Sequence, residues 1–397
     1  MLLTAASLLA QTPARPLWVD VTATALGPTK YWTNKVEIAD LNGDGRPDLL
    51  FANGGDYSTP GTPEPNQVFF NTGGPGLRFQ DVTSQVLGNT PDLARVIKAR
   101  DLNADGFVDI IVGTTYQTQS RLFLGSGQGR FSEITGTHLP AQLLSVGDLE
   151  PGDIDGDGDL DLMLADWGPG HNMTNDGGRT RLWLNDGAGT FTDDARGMPQ
   201  YTNNYEFEPM DLDGDGWLDL VTMNDGEIVG GNSSDRREHV FRNDGKGRFR
   251  DVTEAWWLPA ANVGEDDNMV AFLDGDGRMD VVQAQGEHPK AVDERVFLGR
   301  GLAPDTAAPS VTMVGVKEMG QRTVVHARVH DRKSPSLATE WKRVAVEWTT
   351  PAGPREVPMR WYGENLWRAD WPANVDRVAT YRVCATDAAG NAACGRR

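Results

Sequence analysis

The residues best equipped for chemistry in this chain are aspartates, and they recur in a fixed order. The pattern Asp-x-Asp/Asn-x-Asp-Gly-x-x-Asp runs over Asp40–Asp48, Asp101–Asp109, Asp153–Asp161 and Asp211–Asp219. A fifth copy, from Phe272 to Asp280, has lost its first aspartate. The five starts lie 52 to 61 residues apart, so the loops mark a repeat. The chemistry of this spacing is calcium ligation, because Ca2+ takes about six to eight oxygens and accepts flexible geometry. Side chains at positions 1, 3 and 5 of a curled loop converge on one point, and glycine at position 6 permits the sharp turn. Position 7 offers its carbonyl, and the position-9 aspartate completes the shell. The expected ligands are therefore Asp40, Asn42, Asp44, Arg46 and Asp48, then Asp101, Asn103, Asp105, Phe107 and Asp109. In the next two loops they are Asp153, Asp155, Asp157, Asp159 and Asp161, and Asp211, Asp213, Asp215, Trp217 and Asp219. In the fifth copy only Asp274, Asp276 and Asp280 match, so four calcium sites are expected and a fifth is weakened by Phe272.

An EF-hand would need glutamate at position 12, where Phe51, Val112, Leu164, Thr222 and Gln283 stand instead. The non-metal alternative is a turn held by side-chain-to-backbone hydrogen bonds, against which the repulsion of several carboxylates in one turn argues.

The elements that position these loops are strands. Each loop is followed by a short apolar run, such as Leu49-Leu50-Phe51-Ala52 or Ile110-Ile111-Val112, too short for a helix. Further on come Gly-rich hairpins: VFFNTGGPGLRFQDVT from Val68, RLFLGSGQGRFSEIT from Arg121, RLWLNDGAGTFTDDA from Arg181 and HVFRNDGKGRFRDVT from His239. With a strand before each loop, every repeat holds four antiparallel strands, and such units repeated radially make a β-propeller. The last repeat lacks its fourth strand, whereas Leu17–Thr22 is a fourth-strand motif with no repeat before it. The expected fold is therefore all-β: a five-bladed β-propeller over 17–302, closed by its N-terminal strand, then a linker, 303–309, and a β-sandwich over 310–397.

These Asp loops and N-D-G-x-G-x-F hairpins resemble the FG-GAP/VCBS repeat family, relatives of the integrin α-subunit propeller. The resemblance implies Ca2+ held between the first two strands of each blade, and secretion or cell-surface display in adhesion or carbohydrate recognition. Five repeats depart from the seven blades common among integrins, so integrin ligand geometry is not carried over.

Charge divides the chain at the same boundary. Residues 308–397 hold 14 of the 37 Lys+Arg and 9 of the 57 Asp+Glu, a net of +5 against −25 for the remainder. The overall charge of −20 argues against a nucleic-acid partner. No apolar run reaches the ~18 residues that a membrane-spanning helix requires. Residues 1–16, beginning MLLTAASLLA, read as a signal peptide or loose terminus. The only cysteines, Cys384 and Cys394, flank an Asp-Ala-Ala-Gly-Asn turn nearly symmetrically, which places a disulfide across a hairpin. The ending ATYRVCATDAAGN resembles the last hairpin of bacterial Ig-like or fibronectin-III-like domains. Five tryptophans in this segment are core packing or, alternatively, a sugar-stacking platform.

No G-x-S-x-G, P-loop or H-E-x-x-H occurs. The leading functional reading is a secreted or surface-displayed calcium-binding module for protein or carbohydrate ligands. The alternative is a glycoside hydrolase-like or lyase-like enzyme using carboxylates on the first strands of the blades. There Glu37, Lys98, Glu150 and Glu208 share one register, with Lys35, Asp148, Glu206 and Asp267 two residues earlier, and Glu150, Glu206, Glu208 and Asp267 are the catalytic candidates. The non-catalytic alternative is a solvated channel lining in which Lys35 and Lys98 pair with neighbouring carboxylates.

Overall fold

The computed structural model describes residues 20–300, apart from 57–58, 74–76, 104, 156, 158, 170–177, 195–196, 199–205, 211, 214–216, 224–238, 257–266, 272–279, 285–294 and 299. It then describes residues 305–396, apart from 320–321, 332–340, 352, 362–365 and 372–379. Of the fifth loop, only Asp280 falls within the described residues; Asp211, Asp215, Asp274 and Asp276 lie outside them.

The chain folds as a succession of antiparallel sheets. The first contains β1 (Thr33–Ala39), β2 (Asp48–Asn53), β3 (Gln67–Asn71) and β4 (Phe79–Asp81), hydrogen-bonded in chain order. The second repeats this with β5 (Ala94–Arg100), β6 (Asp109–Thr114), β7 (Arg121–Gly125) and β8 (Phe131–Glu133). The third has β9 (Val146–Gly152), β10 (Asp161–Asp166), β11 (Arg179–Asn185) and β12 (Phe191–Asp193). The fourth has β13 (Glu206–Met210), β14 (Asp219–Met223), β15 (Val240–Asn243) and β16 (Phe249–Asp251). Among the described residues the fifth has three strands, β17 (Asp267–Ala271), β18 (Asp280–Ala284) and β19 (Arg295–Phe297).

The first four sheets stack through their side chains, the second and third on both faces. One core joins Leu50 and Val68 of the first sheet to Ile97, Ile110 and Phe123 of the second. A second joins Ile111 and Leu122 to Leu149, Leu162 and Trp183 of the third, and another joins Met163 and Leu182 to Leu220 and Phe241 of the fourth. Strands β6 and β10 are consequently buried throughout, which is why their sequences read as continuous apolar runs rather than alternating ones. Successive first strands, β1, β5, β9, β13 and β17, contact one another in order. This is the propeller-like, all-β arrangement that the sequence predicts.

Closure by an N-terminal strand falls mainly on residues 17–19, outside the described residues. Thr22 itself opens a helical turn, α1 (Thr22–Ala25), rather than ending a strand. The reason is local: Asp20 Oδ1 accepts the Thr22 N–H, as Asp81 accepts that of Thr83 before α2 (Thr83–Val86). The same Asp-x-Thr cap follows β16 at Asp251 and Thr253. Arg78 donates to Thr24 O, so α1 meets the first sheet's hairpin, as Gln85 on α2 meets the second sheet's hairpin at Gly129. Val36 and Ile38 on β1 and Val296 on β19 remain exposed.

Residues 310–396 form a sandwich of two four-stranded sheets. One runs β20 (Ser310–Met319), β21 (Arg322–His330), β25 (Leu366–Asp370), β24 (Arg360–Trp361), and the other β23 (Gly353–Pro358), β22 (Trp341–Thr350), β26 (Tyr381–Asp387), β27 (Ala392–Arg396). Val325, Ala327 and Val329 of one sheet face Val344, Val346 and Val383 of the other. Trp348, Trp367 and Trp371 are buried in this core and Trp341 and Trp361 pack against it, so the tryptophans serve packing. Cys384 and Cys394 are direct cross-strand partners on β26 and β27 and form the disulfide.

Candidate metal-binding loops

Each Asp loop connects the first and second strands of its sheet, and its nine residues divide into two sets. The position-9 aspartates Asp48, Asp109, Asp161 and Asp219 begin the second strand and are fully buried. Their carboxylates act as ties. Asp48 accepts the N–H of Leu41 at 2.9 Å within its loop and that of Asn71 at 2.8 Å on the neighbouring hairpin. Asp109 does the same with Leu102 and Gly125, Asp161 with Ile154 and Asn185, and Asp219 with Leu212 and Asn243. The sequence reading expected only a ligand here; the structure adds a clamp between loop and hairpin.

Positions 1, 3 and 5 gather the loop around themselves. Asp40 accepts three N–H groups, from Gly43, Asp44 and Gly45, while Asn42 Oδ1 accepts from Asp44. Asp101 and Asn103 repeat the scheme with Asp105 and Gly106. In the third loop the carboxylates of Asp153, Asp155 and Asp161 converge, one oxygen of each lying within 4.8 Å of the others. Asp157 lies one turn on and accepts the Asp159 N–H. Asp213 of the fourth loop pairs with Arg242 at 2.6 Å. The side-chain-to-backbone turn weighed in the sequence therefore exists, but each carboxylate oxygen has two lone pairs, and the turn preorganises oxygens without exhausting them.

The position-7 residues, expected to contribute carbonyls, also pack by their side chains against the hairpin's first glycine. A Cβ on Gly127, whose φ is 72°, would lie 2.1 Å from the Phe107 ring. Asp159 and Trp217 stand likewise against Gly187 and Gly245. The second hairpin glycine faces the preceding sheet: a Cβ on Gly189 would sit 3.3 Å from Asn103. Asn185 Nδ2 donates to Leu102 O and Asn243 Nδ2 to Ile154 O, so the third and fourth hairpins each lock onto the previous sheet's loop. The Asn-Asp-Gly-x-Gly signature is thus a wedge between two Asp loops.

Burial governs the electrostatics. Loss of water raises the Asp48 carboxyl to about 7 and Asp161 to about 8, against the hydrogen bonds that each accepts. Burial raises Asp40, Asp101 and Asp155 as well, and pushes Asp109 well above the ordinary carboxylate range, helped by the Asp101 charge. Such a loop needs a proton or a cation to offset its charge. All-oxygen donors on a flexible loop fit a hard cation of calcium's kind.

The second loop has a neighbour that the sequence did not disclose. The outer face of the sandwich sheet lies on it: Arg328 on β21 donates to Asp101 O, and Arg368 on β25 donates to Gly106 O. Arg368 also sits 5.7 Å from the Phe107 ring centroid, and Arg328 lies 3.9 Å from Asp159 of the third loop. His326, the cross-strand partner of Arg368, crowds Gly106, where a Cβ would come within 2.6 Å of its ring. All three side chains are buried. The basic end of the chain thus meets its acidic end at these loops.

The first-strand charges are engaged elsewhere. Lys98 bridges to Glu150 and Arg100 to Glu37, each across adjacent sheets. Burial raises Glu150 to about 7 despite Lys98, with Asp148 adding to the rise. Glu206, Glu208 and Asp267 occupy β13 and β17, with side chains outside the described residues.

Residues 40–112, 101–164 and 172–222 match the FG-GAP-like repeat. Searched against curated proteins, the chain has no significant match. Among solved structures it is similar to the Tc holotoxin pore of Photorhabdus luminescens, at 15% identity and a TM-score of 0.36. That match covers 93% of this chain but only 20% of the toxin chain. A fructofuranosidase from Schwanniomyces occidentalis complexed with fructose aligns over 96% of this chain and 93% of its own, at 10% identity and a TM-score of 0.28.

Proposed function

Because the chain carries three FG-GAP-like repeats in stacked four-stranded sheets, we propose that it is a calcium-binding module that recognises a protein or carbohydrate ligand outside the cytoplasm. The observation that carries this reading is the third loop, where Asp153, Asp155 and Asp161 bring three carboxylate oxygens within 4.8 Å of one another. The equivalent oxygens of the first, second and fourth loops take the same role, and the carbonyls of Arg46, Phe107, Asp159 and Trp217 complete each set. A bound calcium ion supplies the positive charge that these buried carboxylates otherwise obtain from protons. The loops and the hairpin wedges between them are then rigid, and the polar segments 54–66, 167–178 and 225–237, which differ in length and are rich in Gly, Asn, Asp and Thr, are the recognition segments.

The disulfide supports an oxidising compartment, and with it the reading of residues 1–16 as a secretion signal. No described helix is long and apolar enough to cross a membrane. The strand order of the C-terminal sandwich supports an Ig-like assignment, since its two sheets follow the ABED and CFG scheme with one added edge strand. Binding is favoured over hydrolysis because Glu150, the one catalytic candidate whose side chain is among the described residues, is held by Lys98 in an inter-sheet ion pair.

Immobilised glycans and extracellular-matrix proteins, probed with the full chain in calcium and again in chelator, test the function. The reading expects a ligand bound only in calcium. Turnover of a glycan without calcium-dependent retention would instead support the hydrolase.

A further inference from the structure

A second group of carboxylates lies outside the repeats. Asp305 precedes β20, Asp331 follows β21 and Asp387 ends β26, so three separate segments meet at one end of the sandwich. One carboxylate oxygen from each lies within 4.8 Å of the other two. Asp387 has no exposed surface. Its Oδ1 accepts the N–H groups of Gly390 at 2.6 Å and Asn391 at 2.8 Å, whereas its Oδ2 is buried with no hydrogen-bond partner. An unpaired buried carboxylate oxygen beside two further carboxylates is costly unless a cation joins them.

We propose that Asp305, Asp331 and Asp387 form a calcium-type cation site that pins the interdomain segment to the C-terminal sandwich. The donors are all hard oxygens, with no histidine or free thiol in the group, which excludes a zinc or copper preference. They come from three segments rather than one loop, an open arrangement that suits calcium better than the strict octahedron of magnesium. The frame is already in place: Asn391 Nδ2 donates to Asp305 O at 3.1 Å, and Asp305 Oδ1 accepts the Ala307 N–H at 3.0 Å. A cation here would cross-link the linker, the end of β21 and the last hairpin. The site is independent of the Asp loops, because the family match ends at residue 222 and the nine-residue pattern does not extend to these residues.

The test counts calcium bound per chain after chelator stripping and equilibrium dialysis, using the full protein. Asp331→Asn and Asp387→Asn should each lose one equivalent; the second keeps an oxygen for the Gly390 and Asn391 N–H groups. Asp155→Asn serves as the repeat-loop control. If that variant retains the full count while the other two lose one, the sandwich site stands and the repeat-loop reading falls. An unchanged count in both folded sandwich variants overturns the proposal. Should either variant misfold, terbium luminescence replaces the count. Trp341, the cross-strand partner of Asp387, should sensitise terbium, so Trp341→Phe should remove that component of the emission. Undiminished emission in Trp341→Phe would overturn the site.

Discussion

The first and second Asp loops have almost the same sequence, DLNGDGRPD and DLNADGFVD, yet they live in different surroundings. The first keeps its own counter-charge: Arg46 at position 7 pairs with Asp44 and is 42% exposed. The second has Phe107 in that place and borrows Arg328 and Arg368 from the sandwich, both buried, more than two hundred residues along the chain. Arg368 also acts on the Asp40 carboxyl of the first loop, opposing its rise on burial, so docking bears on both loops, but only the second lacks a counter-charge of its own at position 7. An ion entering the second loop meets two guanidinium groups already facing it, so its occupancy and the docking of the sandwich are coupled.

The largest expected effect breaks this difference. Arg328→Ala in chelator should cost about 3–5 kcal/mol in denaturant unfolding, because it removes one of the two buried guanidinium groups that act on Asp101 and leaves Arg368 alone there. Arg46→Ala should cost under ~1 kcal/mol, as exposed pairs do. Equal costs would abolish the distinction between the loops.

A second change confines damage to the sandwich side. Replacing both Cys384 and Cys394 by serine should lower stability by about 2–3 kcal/mol by the loop-entropy estimate. Calorimetry should show the loss in the sandwich transition, while calcium binding to the first loop stays unchanged.

Smaller still is the wedge. Gly127→Ala places a Cβ at positive φ against Phe107, and about 1–3 kcal/mol should be lost. Phe107→Ala should relieve part of that cost in a double-mutant cycle, which tests whether position 7 packs on the hairpin.

The subtlest effect is a change of sign with pH. Asp48 and Asp161 have folded values of about 7 and about 8, above those of the unfolded chain. In chelator their protons contribute stability that is complete below about pH 4 and lost as pH rises through 7 to 8. Calcium takes the place of those protons, so in its presence stability should rise over the same interval. Thermal melts from pH 5 to 8, with and without calcium, read the two slopes, and parallel slopes would contradict the exchange.

Much of this was legible beforehand. The loops, hairpins, sandwich and disulfide follow from spacing and local propensity, whereas completion of the last sheet by residues 17–22 falls mainly outside the described residues. The hydrophobic runs announce strands, but that β6 and β10 are buried throughout follows only from the stacking of the sheets. The charge step near residue 307 was read as a boundary, but the sequence could not show that the basic side lies on the acidic one. Arg328 and Arg368 occupy alternating positions of ordinary strands, and nothing local distinguishes an outer face in water from one against a loop. The spacing marks the position-9 aspartates as ligands, whereas their ties to Asn71, Gly125, Asn185 and Asn243 depend on sheet pairing that spacing alone does not reveal. Pairing of Lys98 with a neighbouring carboxylate is open to the sequence, because the two share a register, and the Lys98–Glu150 pair bears it out; the Glu37–Arg100 pair escapes, since Arg100 lies off that register and on another sheet.

The most direct test of the central claim is the unfolding free energy of the chelator-stripped chain as calcium is titrated. A cation that binds only the folded loops should add ~2.7 kcal/mol per site at a hundredfold excess over Kd. The account predicts a rise of this kind, reduced by about one site's worth in Asp155→Asn. An unfolding curve that calcium does not move would contradict it.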